Sequence, residues 1–183
     1  SRKVGTTMPD MLVNLLKLPG DETLTDALRK ENILIRRALT PDYYRVLPRI
    51  TQLMGENAAG EANACFSRIP VSLFLATQGA KVVGFACYNA TAPDFFGPTA
   101  VDPAYRGKGI GKALLIRALR AMREEGYVYA IIGGAGPVGF YESAVGALPI
   151  PDSEPGIYED FLGRIASLET SVTKSADQAV ETE

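Results

Sequence analysis

The chain has 183 residues, of which 46% are hydrophobic and 22% charged, and its formal net charge is −2. That is enough for one domain with a full core and too little for two ordinary ones, and the near balance of charge supplies no field toward nucleic acid or an anionic membrane. There is no histidine, so Ser-His and Cys-His couples and histidine-built zinc sites are excluded.

Residues 1–7, before Met8, are expected to form a leader outside the fold. Met11–Leu18 is apolar but too short for a membrane span, which needs roughly 20 residues. No small-residue cleavage site follows it, so it does not read as a signal peptide, and a cytoplasmic location is the expectation. Pro19-Gly20 marks a turn. Thr23–Lys30 reads as a short helix with Leu24 and Leu28 on one face, and Ile33-Leu34-Ile35 begins a strand. Thr40 and Pro41 carry a helix-start signature for a helix reaching about Met54, and a second short helix is expected over Glu61–Arg68.

Val71–Thr77 and Lys81–Tyr88 are β-rich runs joined through Gln78-Gly79-Ala80, the pattern of a hairpin. Phe95–Val101 is a further extended run. Its Gly97-Pro98 pair predicts a bulge or opening, because proline cannot donate to a ladder and glycine weakens one. A long helix follows from about Gly109 to Glu125 and ends at Gly126. On a wheel of 100° per residue, Ile110, Leu114, Leu115, Ala118, Leu119, Ala121 and Met122 share one half, and only Ala113 and Ile116 stray. Tyr127–Ile132 is the next strand, and Pro137 opens a helix through about Ala144. From Ser167 the sequence is polar and aperiodic, as in a frayed tail. Cys65 and Cys87 lie in apolar stretches and read as buried reduced thiols.

This order predicts an α/β (α+β) chain with a central mixed sheet and helices on its faces. The expected division is an N-terminal extension with short helices over 1–32, a domain over 33–166 and a flexible tail over 167–183.

Chemistry concentrates where Thr99-Ala100-Val101 leads into Arg106-Gly107-Lys108-Gly109-Ile110-Gly111-Lys112. A helix N-terminus offers unpaired amides and partial positive charge. Glycines let the backbone come close, and Arg106, Lys108 and Lys112 add charge, which together suit a phosphate or pyrophosphate. A Walker loop does not fit: Gly107 stands one residue too near Gly111-Lys112, and Ala113 lacks the hydroxyl for magnesium. A dinucleotide-binding fingerprint would need glycine where Lys112 stands. A phosphate site for another nucleotide is disfavoured on the same spacing.

Arg106, Gly109 and Gly111 form Arg-x-x-Gly-x-Gly, which resembles the acetyl-CoA loop of the GNAT superfamily of N-acetyltransferases. The resemblance covers about residues 33–150. It implies the GNAT fold, with a central mixed and mostly antiparallel sheet flanked by helices. It also implies acetyl-CoA as co-substrate, an amine of a small molecule or peptide as acceptor, no metal, and the homodimers common in the family. By resemblance, the backbone of Thr99 and Val101 would meet the pantetheine arm, and residues 106–112 the pyrophosphate. Gly139-Phe140-Tyr141 resembles the family segment whose tyrosine protonates the departing thiolate, which makes Tyr141 the candidate acid. Two features depart from the pattern: Gly134 stands where an asparagine is frequent, and the glycine after Tyr141 comes one residue late, leaving Phe140 as a rival. No carboxylate lies within Phe95–Val101, so Asp94, Glu56 and Glu61 stay unassigned as bases. Tyr43, Tyr44, Phe95 and Phe96 fit either core or acceptor cleft. A catalytically silent CoA-binding module of the same fold is the alternative to an enzyme.

Overall fold

A computed structural model describes the backbone of residues 8–180 and the side chains of residues 8–171. The leader expected over residues 1–7 lies outside the described residues. Seven strands form one sheet in the order β2-β3-β4-β5-β6-β1-β7. The strands are β1 (Met11–Asn14), β2 (Ile33–Arg37), β3 (Leu73–Gln78), β4 (Lys81–Tyr88), β5 (Phe95–Val101), β6 (Tyr129–Ile132) and β7 (Leu148–Pro149). The helices are α1 (Glu22–Lys30), α2 (Tyr43–Met54), α3 (Glu56–Cys65), α4 (Ile110–Glu124), α5 (Val138–Val145) and α6 (Leu162–Val180). All strand pairs are antiparallel except β5 with β6.

The sheet is buried on both faces. Phe74, Ala76, Val83, Ala86 and Tyr88 enter a core built with α4, α5 and β1. Their neighbours Leu73, Leu75, Val82, Phe85 and Cys87 enter a second core under α2 and α3. Side chains alternate across a strand, so β3 and β4, covered on both sides, read as unbroken apolar runs. Both cysteines are free and buried.

Helix α4 is more enclosed than its wheel suggests. Ala113 and Ile116 are fully buried, because α1 and the turn Leu15–Lys17 pack along that flank. The packing is locked by charge. Asp21, 2% exposed, receives Arg117 Nη2 at 3.1 Å and Arg120 Nη2 at 2.8 Å. Burial alone would raise the Asp21 carboxyl, but the two guanidinium groups outweigh it and hold the group below its ordinary 3.8.

Three elements differ from the sequence expectation. The stretch assigned to an N-terminal extension contributes β1, which lies between β6 and β7 with Met11 opposite Ile132. Four residues, apolar at Met11, Leu12 and Val13, are too few to display a period. Helix α3 begins at Glu56, directly after Gly55 ends α2, and this earlier start puts Glu61 in mid-helix. From Ser167 onward the chain continues as α6, whose Ser167, Thr170 and Ser171 hydroxyls bond back to the fourth preceding carbonyl. The described side chains of α6, residues 162–171, are all exposed, so no burial pattern marks the helix.

Asp21→Ala should lower stability by about 2–3 kcal/mol, because two arginines lose a buried partner. A lower urea midpoint with unchanged slope is the expected result. Since the folded carboxyl lies below 3.8, the wild-type advantage is complete above that value and disappears as pH falls through the lower folded one. Midpoints of the two proteins should therefore converge in acid.

Candidate active site

The site begins with a parting of strands. β5 and β6 pair only at Phe95–Ile131 and Phe96–Ile132, and the Gly133 amide makes a last link to Phe96 O at 3.4 Å. Beyond this point Pro98 has no N–H to offer. The bulge suggested by Gly97-Pro98 is present, since both residues face the single Cys87 between the Tyr88–Phe96 and Ala86–Thr99 pairs. The Asp102 amide donates to Val83 O at 2.8 Å, and Val101 sits opposite Gly84. In an antiparallel ladder, bonded and non-bonded pairs alternate. The amides of Thr99 and Val101 therefore point away from β4, into the gap left by β6. The Thr99 hydroxyl turns the other way and donates to Phe85 O at 2.9 Å.

Next to this gap is a cavity of about 430 Å³, lined by Thr99, Val101, Arg106, Gly107, Gly109, Ile110, Gly111 and Lys112 together with Phe140 and Tyr141. Its floor is the start of α4. The first helical bond runs from the Ala113 amide to Gly109 O, and no side chain caps the helix, so the amides of Ile110, Gly111 and Lys112 have no acceptor among the described residues. Gly109 turns the chain at φ +86°, and a Cβ there would lie 2.5 Å from Leu24 Cδ1. Gly111 has ordinary backbone, and its added Cβ would stand 3.6 Å from Val101 Cγ2. Of the residues the sequence selected, Lys108 is the one that does not line the cavity. Its ammonium pairs with Glu31. Upstream, Asp102 accepts the Ala104 amide and meets Arg49 at 2.5 Å and Lys81 at 3.3 Å, which anchors the loop entry.

A second cavity, about 790 Å³, opens on the far side of the gap. Phe96, Thr99 and Tyr141 line both cavities, so Tyr141 stands where the two meet. Its ring is edge-on to Phe96 at 6.5 Å and to Phe140 at 5.0 Å. Burial pushes its hydroxyl above the ordinary 10, which keeps it a proton donor at neutral pH. Phe140 is 37% exposed and touches only the first cavity, so Tyr141, not its neighbour, holds the junction.

Among Asp94, Glu56 and Glu61, Glu61 alone lines the second cavity. It accepts the Thr91 hydroxyl at 3.2 Å. Burial raises its carboxyl above the usual 4.5, and that hydroxyl opposes the rise only in part. The roof comes from the segment around Gly156–Asp160 and the start of α6, through Tyr158, Phe161 and Arg164. Sequence reasoning missed these three, and no local motif flags them. Tyr158, pushed up to about 12 by burial and then by the Glu61 charge, explains the Gly134 departure. At Gly134, φ +53°, an added Cβ would lie 3.2 Å from the Tyr158 ring, and the Gly134 amide donates to Asp10 Oδ1 at 2.8 Å. Of the aromatic residues in doubt, Phe96 lines the cavity, while Tyr43 packs edge-on to Phe66 at 5.3 Å. No group of three or more Cys, Asp or Glu side chains converges as a metal site among the described residues, and no helix among them is long and apolar enough to cross a membrane.

A mixed sheet split between two strands, with uncapped amides at one mouth and a buried phenol and a half-buried carboxylate at the other, is the layout of a group-transfer domain. The acetyltransferase (GNAT) family model matches residues 34–147, and the chain belongs to that family. Solved structures share the fold. A GCN5-related glucosamine N-acetyltransferase region of a fungal multi-domain GH3 β-N-acetylglucosaminidase superposes with a TM-score of 0.63 at 12% identity, over 78% of this chain and 19% of that one. A GCN5-related N-acetyltransferase from Sphaerobacter thermophilus gives 0.55 at 19% identity, over 78% of this chain and 48% of that one. The chain thus spans less than half the length of either. None of the curated proteins matches the sequence.

Gly109→Ala and Gly111→Ala should separate loop geometry from loop chemistry. Gly109→Ala should destabilise the protein by about 1–2 kcal/mol through its left-handed backbone, whereas Gly111→Ala should melt within a degree or two of wild type. Equal melting temperatures for the two variants would contradict the described turn.

Proposed function

We propose that the protein transfers an acetyl or short acyl group from coenzyme A to an amine. The observation that carries this reading is the union of two cavities at Tyr141, one floored by free helix-start amides and the other walled by a half-buried carboxylate, Glu61. Family membership supports the same donor. The amides of Ile110, Gly111 and Lys112, with Arg106 beside them, would hold the pyrophosphate. The pantetheine arm would run beside the free edge of β5, where the Thr99 and Val101 amides are available to it and to the thioester carbonyl.

The chemistry then divides between two side chains. Glu61 would take the proton from the amine, directly or through a water, as nitrogen bonds to the acyl carbon. As the carbon–sulfur bond breaks, the Tyr141 hydroxyl would donate its proton to the thiolate. Unpaired amides aimed at the developing oxyanion lower the barrier further. Holding both reactants in one gap supplies a large part of the acceleration.

Gly111→Glu should abolish coenzyme A binding in calorimetry while leaving the fold intact, since its side chain adds negative charge to the phosphate cradle. Free-thiol release from acetyl-CoA with a panel of amines tests turnover, and binding without any release would instead favour the silent module. Tyr141→Phe should reduce kcat at least tenfold with little change in KM for acetyl-CoA. Because Glu61 must be ionised to act, wild-type kcat/KM should fall in acid with an apparent pKa above 4.5, and Glu61→Gln should lose that limb. An unaltered acid limb in Glu61→Gln would assign the base elsewhere.

A further inference from the structure

We propose that the acceptor is a small amine that also carries an anionic group, with the amine received by Glu61 and the anion by Arg164. This rests on the acyl-transfer reading above and narrows it to a substrate class. Three charged side chains line the larger cavity: Glu61, Glu154 and Arg164. Glu154 is exposed and its Oε1 accepts the Met8 amide at 2.5 Å, which leaves Glu61 as the half-buried carboxylate of the two. Glu61 spends one oxygen on Thr91 and keeps the other. Arg164 makes no side-chain hydrogen bond or ion pair among the described residues. Its backbone is fixed in the first turn of α6 by the amide bond to Phe161 O at 2.9 Å.

The same cavity is lined by Met54, Ala58, Phe96, Ile132 and Phe161, with Asn57, Thr99, Tyr141 and Tyr158 as its uncharged polar side chains. A ligand lying here therefore meets groups of opposite sign, Glu61 and Arg164, on the walls of one cavity. A diamine or polyamine would set a second ammonium toward Arg164. A monoamine would leave the guanidinium unmatched. A guanidinium fork matches a carboxylate or a phosphate in two parallel bonds.

The test uses the whole chain and acetyl-CoA with matched acceptors. One arm is the ω-amino acids from glycine to 6-aminohexanoate against their carboxamides. The other is O-phosphoethanolamine against ethanolamine, and comparison of the arms tells carboxylate from phosphate. In at least one length the charged member should exceed its neutral partner at least tenfold in kcat/KM. Arg164→Ala should bring that ratio near one, with Arg164→Lys retaining part of it. Equal rates for charged and neutral members at every length, or a ratio untouched by Arg164→Ala, overturn the proposal while leaving acyl transfer standing. If none of the charged amines reacts, the proposal also fails, and coenzyme A binding measured without acceptor then reports whether the broader reading falls with it.

Discussion

Two strands that begin side by side and then part set the terms for everything else in this molecule. Had β5 and β6 stayed paired past Phe96–Ile132, their amides would have satisfied one another and nothing could enter between them. Gly97-Pro98 breaks the ladder from one side and the end of β6 breaks it from the other. An open sheet edge inside a protein is ordinarily a liability. Here the unpaired groups are confined to a gap that borders two cavities, so the same irregularity that weakens the sheet opens a place where Phe96, Thr99 and Tyr141 line both.

Keeping that gap open requires a rigid surround, and charge supplies much of it. Asp21 ties α1 to α4 through Arg117 and Arg120, which fixes the axis of the helix whose first turn faces the gap. Asp102 does the same at the exit of β5, through Arg49 and Lys81. At the far end of α4, Glu125 accepts the Tyr88 hydroxyl at 2.7 Å, and Arg37 donates to the same oxygen. Burial, with the Glu125 carboxylate beside it, pushes that phenol up to about 12. A helix held along its middle and at its end keeps its place on the sheet, and a misplacement of about 1 Å is enough to impair a positioned reaction.

The sequence made the donor side legible and left the acceptor side dark, for a physical reason. Arg106 through Lys112 are contiguous, and backbone geometry at glycines leaves a local signature. The strands β3 to β6 follow from β-rich runs and turn signals, and helix α4 from its periodicity. By contrast, Glu61, Tyr158 and Arg164 come from three separate elements and meet only through tertiary packing. Glu61 could not be told from a solvated charge until α3 was seen to start at Glu56. Gly134 looked like a loss of a family side chain. It is better described as an exchange of space, since the Tyr158 ring occupies the volume a side chain there would need. Ala113 and Ile116 strayed from the wheel because the wheel knows one packing face, and α4 has two.

The interleaved position of β1 has a bearing on how the protein is made. Met11–Asn14 leaves the ribosome more than a hundred residues ahead of its partners Tyr129–Ile132 and Leu148–Pro149. For that interval a strand whose Met11 and Val13 end fully buried has no native mate, which is the condition under which wrong pairings compete. Closing so long a loop also places this contact late among the steps of assembly. The residues that flank β1 belong to the wall of the larger cavity, since Met8 lines it and Asp10 accepts the amide of Gly134, which lines it too, so a mispaired β1 would leave that wall incomplete.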